Sequence, residues 1–291
     1  MSVDLSSVTD MSFVPNLYQV HLILDEEIVG ENETRMALFT NWILAYRNVS
    51  MSGQRSSGKT YTTERVARLL PDKNGLYNLS KGSEKASWYQ AEQLKAHSHI
   101  MVPELNKLSK DAKETLKDWG EGKPSQYKTV VFEGGIRRTQ TYTLNCKPFV
   151  FCLADEEEMI IDEQLRSRLT IIRTDNSEQQ NRAVTLQQAE LAILPNNPKK
   201  QSEDLFKQMK HHIATLPPMT KIEFRHPAAG VFVECIPPYF TDCRRDFPKY
   251  LANTYGITRF YWKERMFIKK GDNLVFFVTP EDMYYNHIIY L

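Results

Sequence analysis

Residues 53–60 constrain the fold more than any other stretch of the chain, because they read Gly-Gln-Arg-Ser-Ser-Gly-Lys-Thr. This is the G-x-x-x-x-G-K-T pattern of a phosphate-binding loop, in which glycines let backbone N–H groups turn around phosphate oxygens. A strand pattern at 47–52 precedes the loop, and a helical pattern at 60–70 follows it. The order strand, loop, helix predicts an α/β protein that binds a nucleoside triphosphate at the loop.

Two side chains at the end of this loop carry its chemistry. Lys59 is placed to reach the β- and γ-phosphates, and the Thr60 hydroxyl is placed to bind Mg²⁺. The N-terminus of the following helix adds partial positive charge. The residues predicted to surround the phosphates are Gly53, Gln54, Arg55, Ser56, Ser57, Gly58, Lys59, Thr60 and Tyr61.

Composition and charge limit which other kinds of site and which cellular compartments we expect for this chain. The chain has 291 residues and a net charge of +1, so any nucleic-acid surface must be local. We see no apolar run long enough to span a membrane and no secretion signal. Cys146, Cys152, Cys235 and Cys243 form no C-x-x-C pair, which favours reduced thiols. We therefore expect a soluble cytoplasmic or nucleoid-type compartment, with no membrane contact and no secretion.

Strand patterns alternate with helical patterns over the first two thirds of the chain, which predicts a parallel sheet with the phosphate loop at the carboxyl end of its first strand. The predicted strands are 47–52, 75–80, 99–104, 148–153 and 169–173. The predicted helices are 31–46, 60–70, 85–96, 109–119, 155–168 and 178–216, the last broken near 195–198.

In two further regions, residue types alternate with a period of two, as is typical of β-strands. Residues 128–144 predict a β-hairpin whose tip carries Arg137 and Arg138. After Pro217-Pro218, strand patterns at 221–225, 230–235, 265–269 and 273–278 surround a helical pattern at 242–255, which predicts a small α+β domain resembling a winged helix.

These features stand in one order along the chain: Ile28-Val29-Gly30, the phosphate loop, a strand ending in Glu104, the hairpin, and Ser167-Arg168-Leu169. Over roughly 22–215 the chain resembles an AAA+ ATPase, and within that class the minichromosome-maintenance replicative helicases and the MoxR-type ATPases. The resemblance implies a three-layer α/β P-loop core with a helical lid. We predict a flexible lead-in at 1–17, the core at 18–174, the lid at 175–216 and the small domain at 217–291.

The resemblance also implies an ATP site completed by residues outside the loop. Ile28 and Val29 would lie near the adenine, Asp155 would be the polar sensor after the fourth strand, and Arg182 would be the lid arginine. ATP and Mg²⁺ are the expected cofactors.

Two residues would act in catalysis. Glu104 aligns with the glutamate that polarises the attacking water, and Arg168 aligns with the arginine finger that a neighbouring subunit receives, which requires an oligomer, most simply a hexameric ring. The family has Asp-Glu where this chain has Pro103-Glu104, so either hydrolysis is slow or another carboxylate substitutes. The structural alternatives are an ordinary strand-end carboxylate at Glu104 and, at Arg168, a helix cap or an ion pair with Asp162 or Glu163. Arg166 is the other candidate for the arginine finger.

In the resembled family, the hairpin faces a pore that carries DNA. Lys128, Arg137 and Arg138 are therefore predicted to contact nucleic acid, and a solvated turn is the alternative. His211 and His212 are expected to form a solvated helix end.

The aromatic residues near 240–262 predict the core of the small domain. The interleaved cations leave a nucleic-acid face open as the alternative. The aromatic residues are Phe240, Phe247, Tyr250, Tyr255, Phe260, Tyr261 and Trp262, and the cations are Arg244, Arg245, Lys249, Arg259, Lys263 and Arg265.

Two functions from different classes follow. The first is a ring-forming ATPase that translocates or unwinds nucleic acid, as in DNA replication. The second is a MoxR-like remodelling or nucleotide-gated switch ATPase that acts on protein partners, with 217–291 as a partner-binding region. Near-neutral charge, Pro103 and the lack of the large amino-terminal DNA-binding domain of the replicative helicases favour the second.

Overall fold

A computed structural model describes residues 15–79, 91–104, 108, 110–134, 136–154, 163–193, 203–235 and 243–290. The helices are α1 (Leu17–Glu27), α2 (Asn32–Leu38), which continues as a π-helix (Phe39–Leu44), α3 (Lys59–Ala67), α4 (Ala91–Ala96), α5 (Lys110–Gly120), α6 (Glu163–Arg166), α7 (Glu178–Ile193), α8 (Glu203–Ala214), α9 (Ala229–Cys235), α10 (Cys243–Phe260) and α11 (Pro280–Tyr290). The strands are β1 (Val49–Gly53), β2 (Leu76–Asn78), β3 (His99–Val102), β4 (Ser125–Glu133), β5 (Ile136–Leu144), β6 (Phe149–Ala154), β7 (Thr170–Arg173), β8 (Ile222–Arg225), β9 (Phe267–Lys270) and β10 (Asn273–Phe277).

A five-stranded sheet with the order β2-β3-β6-β1-β7 forms the centre of the protein. Every neighbouring pair in it is parallel, which confirms the predicted parallel α/β sheet. All residues of β1, β3 and β6 are buried, as expected for strands covered on both faces. Because the strands are parallel, their carboxyl ends share one edge of the sheet, here called the carboxyl edge, and their starts share the opposite, amino edge.

The strands β4 and β5 form the predicted hairpin, and it is longer than its sequence pattern suggested. The two strands pair without interruption from Ser125 opposite Leu144 to the tip, a length of about 30 Å at the usual rise per residue. At the base, the Ser125 hydroxyl donates to Asp118 of α5 at 2.7 Å. The Trp119 indole N–H donates to the carbonyl of Leu144 at 3.4 Å. The hairpin is therefore anchored on α5, whose end contacts Asn48 at the start of β1, on the amino edge.

The start of the described chain is a capped helix that the sequence patterns did not reveal. Asn16 and Gln19 form a reciprocal capping box, and α1 then buries Leu17, Val20 and two further apolar residues. Pro15 and Leu17 are buried, so the docked part of the chain reaches into the segment predicted as a loose lead-in. The lead-in before Pro15 lies outside the described residues.

The last part of the chain contains a second, three-stranded sheet with the order β8-β10-β9. β8 is parallel to β10, and β9 is antiparallel to it. The predicted strand at 230–235 is wrong, because these residues form helix α9. Its alternating valines misled the prediction: Val231 and Val233 are 63% and 53% exposed, so the alternation does not mark a buried strand face.

The second sheet and the helices around it share one hydrophobic core with the helices that cover β1. Phe260, Tyr261 and Trp262, predicted as core of a small domain, are buried in the same cluster as Phe39 and Trp42. The helices approach closely, because a Cβ on Gly256 of α10 would lie 2.8 Å from the backbone N of Ala45. The predicted winged-helix likeness and the domain boundaries stay predictions.

Two cations that the sequence offered for a nucleic-acid face are buried instead. Arg259 is 3% exposed and donates to the carbonyls of Leu44 and Pro217 at 3.2 and 2.6 Å. Arg265 is 8% exposed and forms an ion pair with Asp282 at 2.7 Å. These arginines link structural elements, so the nucleic-acid alternative is wrong for both.

His212 is a further correction, because it does not lie at a solvated helix end. Its side chain is buried, and its Nε2–H donates to the carbonyl of Phe260 at 2.8 Å. Burial lowers the pKa of His212 to about 4. Its neighbour His211 is exposed, as predicted.

The two helices of the predicted lid differ in packing. α7 has no buried residue, whereas α8 buries Met209, His212 and Ile213. Residues between them lie outside the described part of the chain. Within the described residues, no helix is long and apolar enough to cross a membrane.

Candidate functional site

The phosphate-loop sequence forms a tight turn between β1 and α3 at the carboxyl edge. Gly58, the residue before the helix, has φ +81°, a conformation that glycine adopts without strain. Gly53 is required by space, since a Cβ there would lie 2.0 Å from the Thr174 hydroxyl oxygen. The loop therefore ends directly at the N-terminus of a nine-residue helix, the arrangement that suits a phosphate group.

Lys59 is buried and turns back over the loop. Its Nζ donates to the carbonyl of Gly53 at 2.9 Å and to the Ser57 hydroxyl at 3.2 Å, and it also contacts the carbonyl of Gln54. Gln54, Arg55, Ser56, Gly58, Thr60 and Tyr61 are exposed. A helix N-terminus, an ammonium group and the hydroxyl group of Thr60 fit a triphosphate with Mg²⁺.

Thr174, which directly follows β7, fixes the loop from the neighbouring strand. Its hydroxyl lies 2.8 Å from the Ser57 hydroxyl, and its backbone N–H donates to the carbonyl of Ser52 at 3.0 Å. The side chain is 5% exposed. Sequence reasoning missed this residue, although its position after an apolar strand at the same edge as the loop was an available signal.

The segment predicted to lie near adenine is held against α3. The Tyr61 hydroxyl donates to the carbonyl of Glu27 at 2.8 Å, and Arg68 forms an ion pair with the Glu27 side chain. Arg35, fully buried, donates to the carbonyl of Ile28 at 2.7 Å. The Ile28 side chain is buried in the core, whereas Val29 is half-buried. The structure thus brings this segment beside the phosphate-loop helix.

Glu31 connects that segment to the end of β7. It has φ +52°, an uncommon conformation for a residue with a side chain, and one carboxylate oxygen accepts the backbone N–H of Asp175 at 2.9 Å. Burial raises the pKa of Glu31. The Thr34 hydroxyl donates to the carbonyl of Arg173 at 2.9 Å, which adds a second connection. The phosphate loop, the adenine segment and the β7–α7 junction therefore form one bonded network.

Glu104 lies on the same edge, two residues after β3, and is exposed. One strand, β6, separates β3 from β1, so Glu104 is about 10 Å along the edge from the loop at the usual strand spacing. Asp155, the predicted sensor after β6, lies outside the described residues.

Arg168 lies at the opposite, amino edge, two residues before the start of β7. Its guanidinium forms an ion pair with Glu121 at 2.8 Å. The side chains of Asp162 and Glu163, its predicted alternative partners, lie outside the described part of the chain. A hydrogen bond from Lys123 and the charge of Arg168 hold the pKa of Glu121 below its usual range. The four residues of β7, about 13 Å long, and Leu169 lie between Arg168 and Thr174. Arg168 and the phosphate loop of the same chain therefore lie at opposite edges of the sheet.

The three predicted nucleic-acid contacts are exposed on the hairpin. Arg137 pairs opposite Phe132 and Arg138 opposite Val131, next to the tip. Because successive strand residues point to opposite faces, the two arginines lie on opposite faces of the hairpin. Lys128, which pairs with Thr141, shares a face with Arg137.

Arg182 is exposed on α7, two residues after Gln180. The side-chain amide of Gln180 donates to the carbonyl of Val29 at 2.8 Å. Two residues correspond to a rotation of about 200° around a helix, so Arg182 faces away from the adenine segment. Gln180 is thus an α7 residue that reaches this segment, and sequence reasoning missed it. The role of Arg182 as the lid arginine stays a prediction.

Comparison with known proteins gives one family. A family model described as the MTBMA_p00010 P-loop domain matches residues 11–214, well over half of the chain. No curated protein matches the chain.

Proposed function

Because the chain belongs to the MTBMA_p00010 P-loop domain family, we propose that it is a ring-forming ATPase of the AAA+ type that moves or opens nucleic acid. The observation that carries this proposal is the division of the predicted catalytic groups between two edges of one sheet. Lys59 and Glu104 lie on the carboxyl edge, and Arg168 lies on the amino edge. An arginine finger on the amino edge can act only on the nucleotide of a second copy of the chain. This requirement favours a ring of subunits, most simply a hexamer.

In this proposal, four residues of the chain have separate roles in binding and hydrolysis. Lys59 leaves its loop carbonyls to bind the β- and γ-phosphates, and Thr60 provides the hydroxyl ligand for Mg²⁺, which neutralises phosphate charge when bound. Glu104 orients the attacking water. Arg168 exchanges Glu121 for the transferring phosphoryl group of the neighbouring copy.

The hairpin supports action on nucleic acid. It projects about 30 Å from α5 and carries Arg137, Arg138 and Lys128 on its two faces. Cations repeated around a ring form a belt that binds phosphates even when the net charge is near zero. A hairpin with cations on both faces also contacts a strand that passes on either side.

The test is ATP hydrolysis with and without single-stranded and duplex DNA, with Lys59→Ala as the blank. We expect DNA to stimulate hydrolysis and added salt to reduce the stimulation. The double variant Arg137→Glu, Arg138→Glu should lose it. The control, Lys73→Glu with Lys221→Glu, changes two exposed lysines elsewhere and should retain it. Stimulation that survives the hairpin variant would contradict the role of the hairpin.

A second candidate function is a MoxR-like remodeller or nucleotide-gated switch that acts on a protein. Exposed apolar side chains in the last part of the chain favour it: Met266, Phe267 and Ile268 are 77%, 49% and 57% exposed on and beside the edge strand β9. Hydrolysis that DNA leaves unchanged favours the remodeller. ATP binding without hydrolysis favours the switch, with Pro103 in place of the usual aspartate as its cause.

A further inference from the structure

The strand β9 lies at the edge of the second sheet and, as far as the described residues show, pairs with β10 on one side only. On that side, the carbonyl of Met266 accepts the backbone N–H of Phe277 at 3.4 Å. Bonded and non-bonded positions alternate along an antiparallel pair, so Ile268 also bonds with β10. The backbone N–H and C=O groups of the alternate residues, Phe267 and Lys269, therefore point away from the sheet.

The face of this sheet opposite the core carries an open groove beside β9, with a volume of about 520 Å³. Its lining residues are Arg225, His226, Pro227, Ile268, Lys269, Lys270, Val275 and Phe277. Val275 and Phe277 alternate along β10, and Ile268 pairs with Val275, so these three side chains form an apolar strip on one face. Val275 is 7% exposed and Ile268 is 57% exposed, so the strip is covered at its centre and open at the edge.

Cations surround this apolar strip. Arg225, Lys269 and Lys270 are exposed, and the described residues that line the groove include no carboxylate. Glu223, outside the lining, lies 3.9 Å from Lys270 and neutralises part of this charge. The groove therefore suits a ligand that carries both carboxylates and an apolar side chain.

The same cations oppose pairing of β9 with a second copy of the chain. Antiparallel pairing of two β9 strands would bring Lys269 and Lys270 of both copies close together, and like charges on edge strands disfavour association. A nucleic acid would bind the cations but would not pair with the strand backbone or fill the apolar strip. An extended peptide satisfies all three features, because its backbone pairs with the edge and its side chains alternate between the two faces.

We propose that β9 binds an extended, acidic peptide segment of a partner protein, which adds a fourth strand to this sheet. Carboxylates of the segment pair with Lys269 and Lys270, and an apolar side chain enters the groove against Ile268. For its biological role, this inference rests on the remodelling or switch function proposed above. The binding itself requires no ATP, because no residue of the phosphate loop takes part in it.

The experiment measures binding of a fluorescently labelled peptide, Ser-Glu-Glu-Val-Val-Leu-Ser, to the full chain by fluorescence anisotropy at low salt. In antiparallel pairing, its glutamates lie opposite Lys270 and Lys269, and its valines lie opposite Ile268 and Phe267. We expect the double variant Lys269→Glu, Lys270→Glu to weaken binding at least about 10-fold, because attraction becomes repulsion.

The matched control is Lys73→Glu with Lys207→Glu, which changes two exposed lysines outside the second sheet and should bind the peptide as wild type does. Circular dichroism checks that both double variants fold. An equal loss of binding in the two variants would mean that net charge, rather than β9, holds the peptide, and it would overturn the inference.

A second peptide separates strand pairing from charge attraction. Methyl groups on the backbone nitrogens of its second glutamate and second valine, which lie opposite Lys269 and Phe267, keep every side chain but remove the donors to β9. We expect this peptide not to bind. Equal binding of the methylated and unmethylated peptides would overturn strand addition.

The remaining outcomes concern the kind of partner. No binding of the unmethylated peptide by wild type overturns the inference. Single-stranded DNA that binds wild type but not the Lys269→Glu, Lys270→Glu variant, while the peptide fails to bind, would assign β9 to nucleic acid instead. These readouts need no hydrolysis, so failure here is distinguishable from failure of the proposed ATPase function.

Discussion

The two edges of the central sheet differ in whether their polar groups are completed within one chain. At the carboxyl edge, Lys59 is bonded to its own loop and Ser57 contacts Thr174. At the amino edge, the polar features project outward: Arg168 pairs only with a surface carboxylate, Glu121, as far as the described contacts show, and the hairpin extends from α5. The binding half of the site is thus built inside one chain, and the part that would complete it faces elsewhere.

The largest expected effect comes from substitutions that inactivate one edge of the sheet at a time. Arg168→Ala and Glu104→Gln should each reduce the turnover of ATP about 10³-fold while binding is retained, because each removes a group that acts on the transition state. If the proposed ring forms, mixing the two inactive proteins should restore part of the activity, since a mixed ring would contain some sites with an intact Glu104 and a neighbour's Arg168.

The control for that prediction is Arg166→Ala, an exposed arginine two residues away. It should retain turnover. Mixed proteins that stay inactive, or a loss of turnover in Arg166→Ala alone, would show that Arg168 is not the residue that crosses between copies.

At the carboxyl edge, Lys59→Ala should weaken nucleotide binding about 100-fold, because charge-assisted hydrogen bonds to the phosphates are lost. Equilibrium dialysis with labelled ATP measures the loss. Lys73→Ala, at an exposed position outside the loop, is the control and should change binding little. Comparable losses in both variants would mean that general positive charge, rather than the geometry of Lys59, holds the nucleotide.

The sequence predicted the sheet and the loop because both depend on local patterns. Buried strands such as β6 are continuous apolar runs, and the loop is a contiguous motif. Thr174 and Gln180 were missed because their partners Ser57 and Val29 are 117 and 151 positions away in the sequence. Only the parallel order of the strands brings such distant residues to one edge.

Two errors have a different origin. The capping box of Asn16 and Gln19 was present in the sequence as a helix start, and it was not used. His212 was expected at a solvated helix end, and Arg259 was part of the alternative nucleic-acid face, because their residue types are polar. Both are buried with backbone carbonyls as partners. Polarity alone does not separate a solvated side chain from one that satisfies a distant carbonyl.

A smaller effect tests whether β7 supports the loop. Thr174→Val keeps the shape of the side chain but removes its contact with the Ser57 hydroxyl, so nucleotide affinity should fall about 3- to 10-fold. Thr174→Ser should recover part of the loss. Thr185→Val, which removes a hydroxyl bonded only within α7 at 2.8 Å, is the control. An unchanged affinity in Thr174→Val would mean that the loop holds its shape without the neighbouring strand.

The smallest expected effect is on how the free energy of unfolding depends on pH. As pH falls, a buried group at the amino edge lowers this stability, and one at the carboxyl edge raises it. At the amino edge, burial lowers the pKa of His99 to about 3 from 6.5. The unfolded chain takes up this proton below pH 6.5 and the folded chain does not, so His99 costs stability as pH falls, at about 1.4 kcal/mol per pH unit. At the carboxyl edge, the raised pKa of Glu31 means that the folded chain takes up its proton first, which favours folding as pH falls toward 4.5.

Urea unfolding at pH 7, 6 and 5 measures the free energy of unfolding for wild type and His99→Gln. Below pH 6.5 the wild type should lose stability more steeply than His99→Gln, by about 1.4 kcal/mol per pH unit, because the variant lacks the buried imidazole at position 99. His211→Gln, at an exposed position, should keep the wild-type slope. Equal slopes in wild type and His99→Gln would mean that the folded protein admits the proton at His99, and hence that the amino edge opens to water near the start of β3.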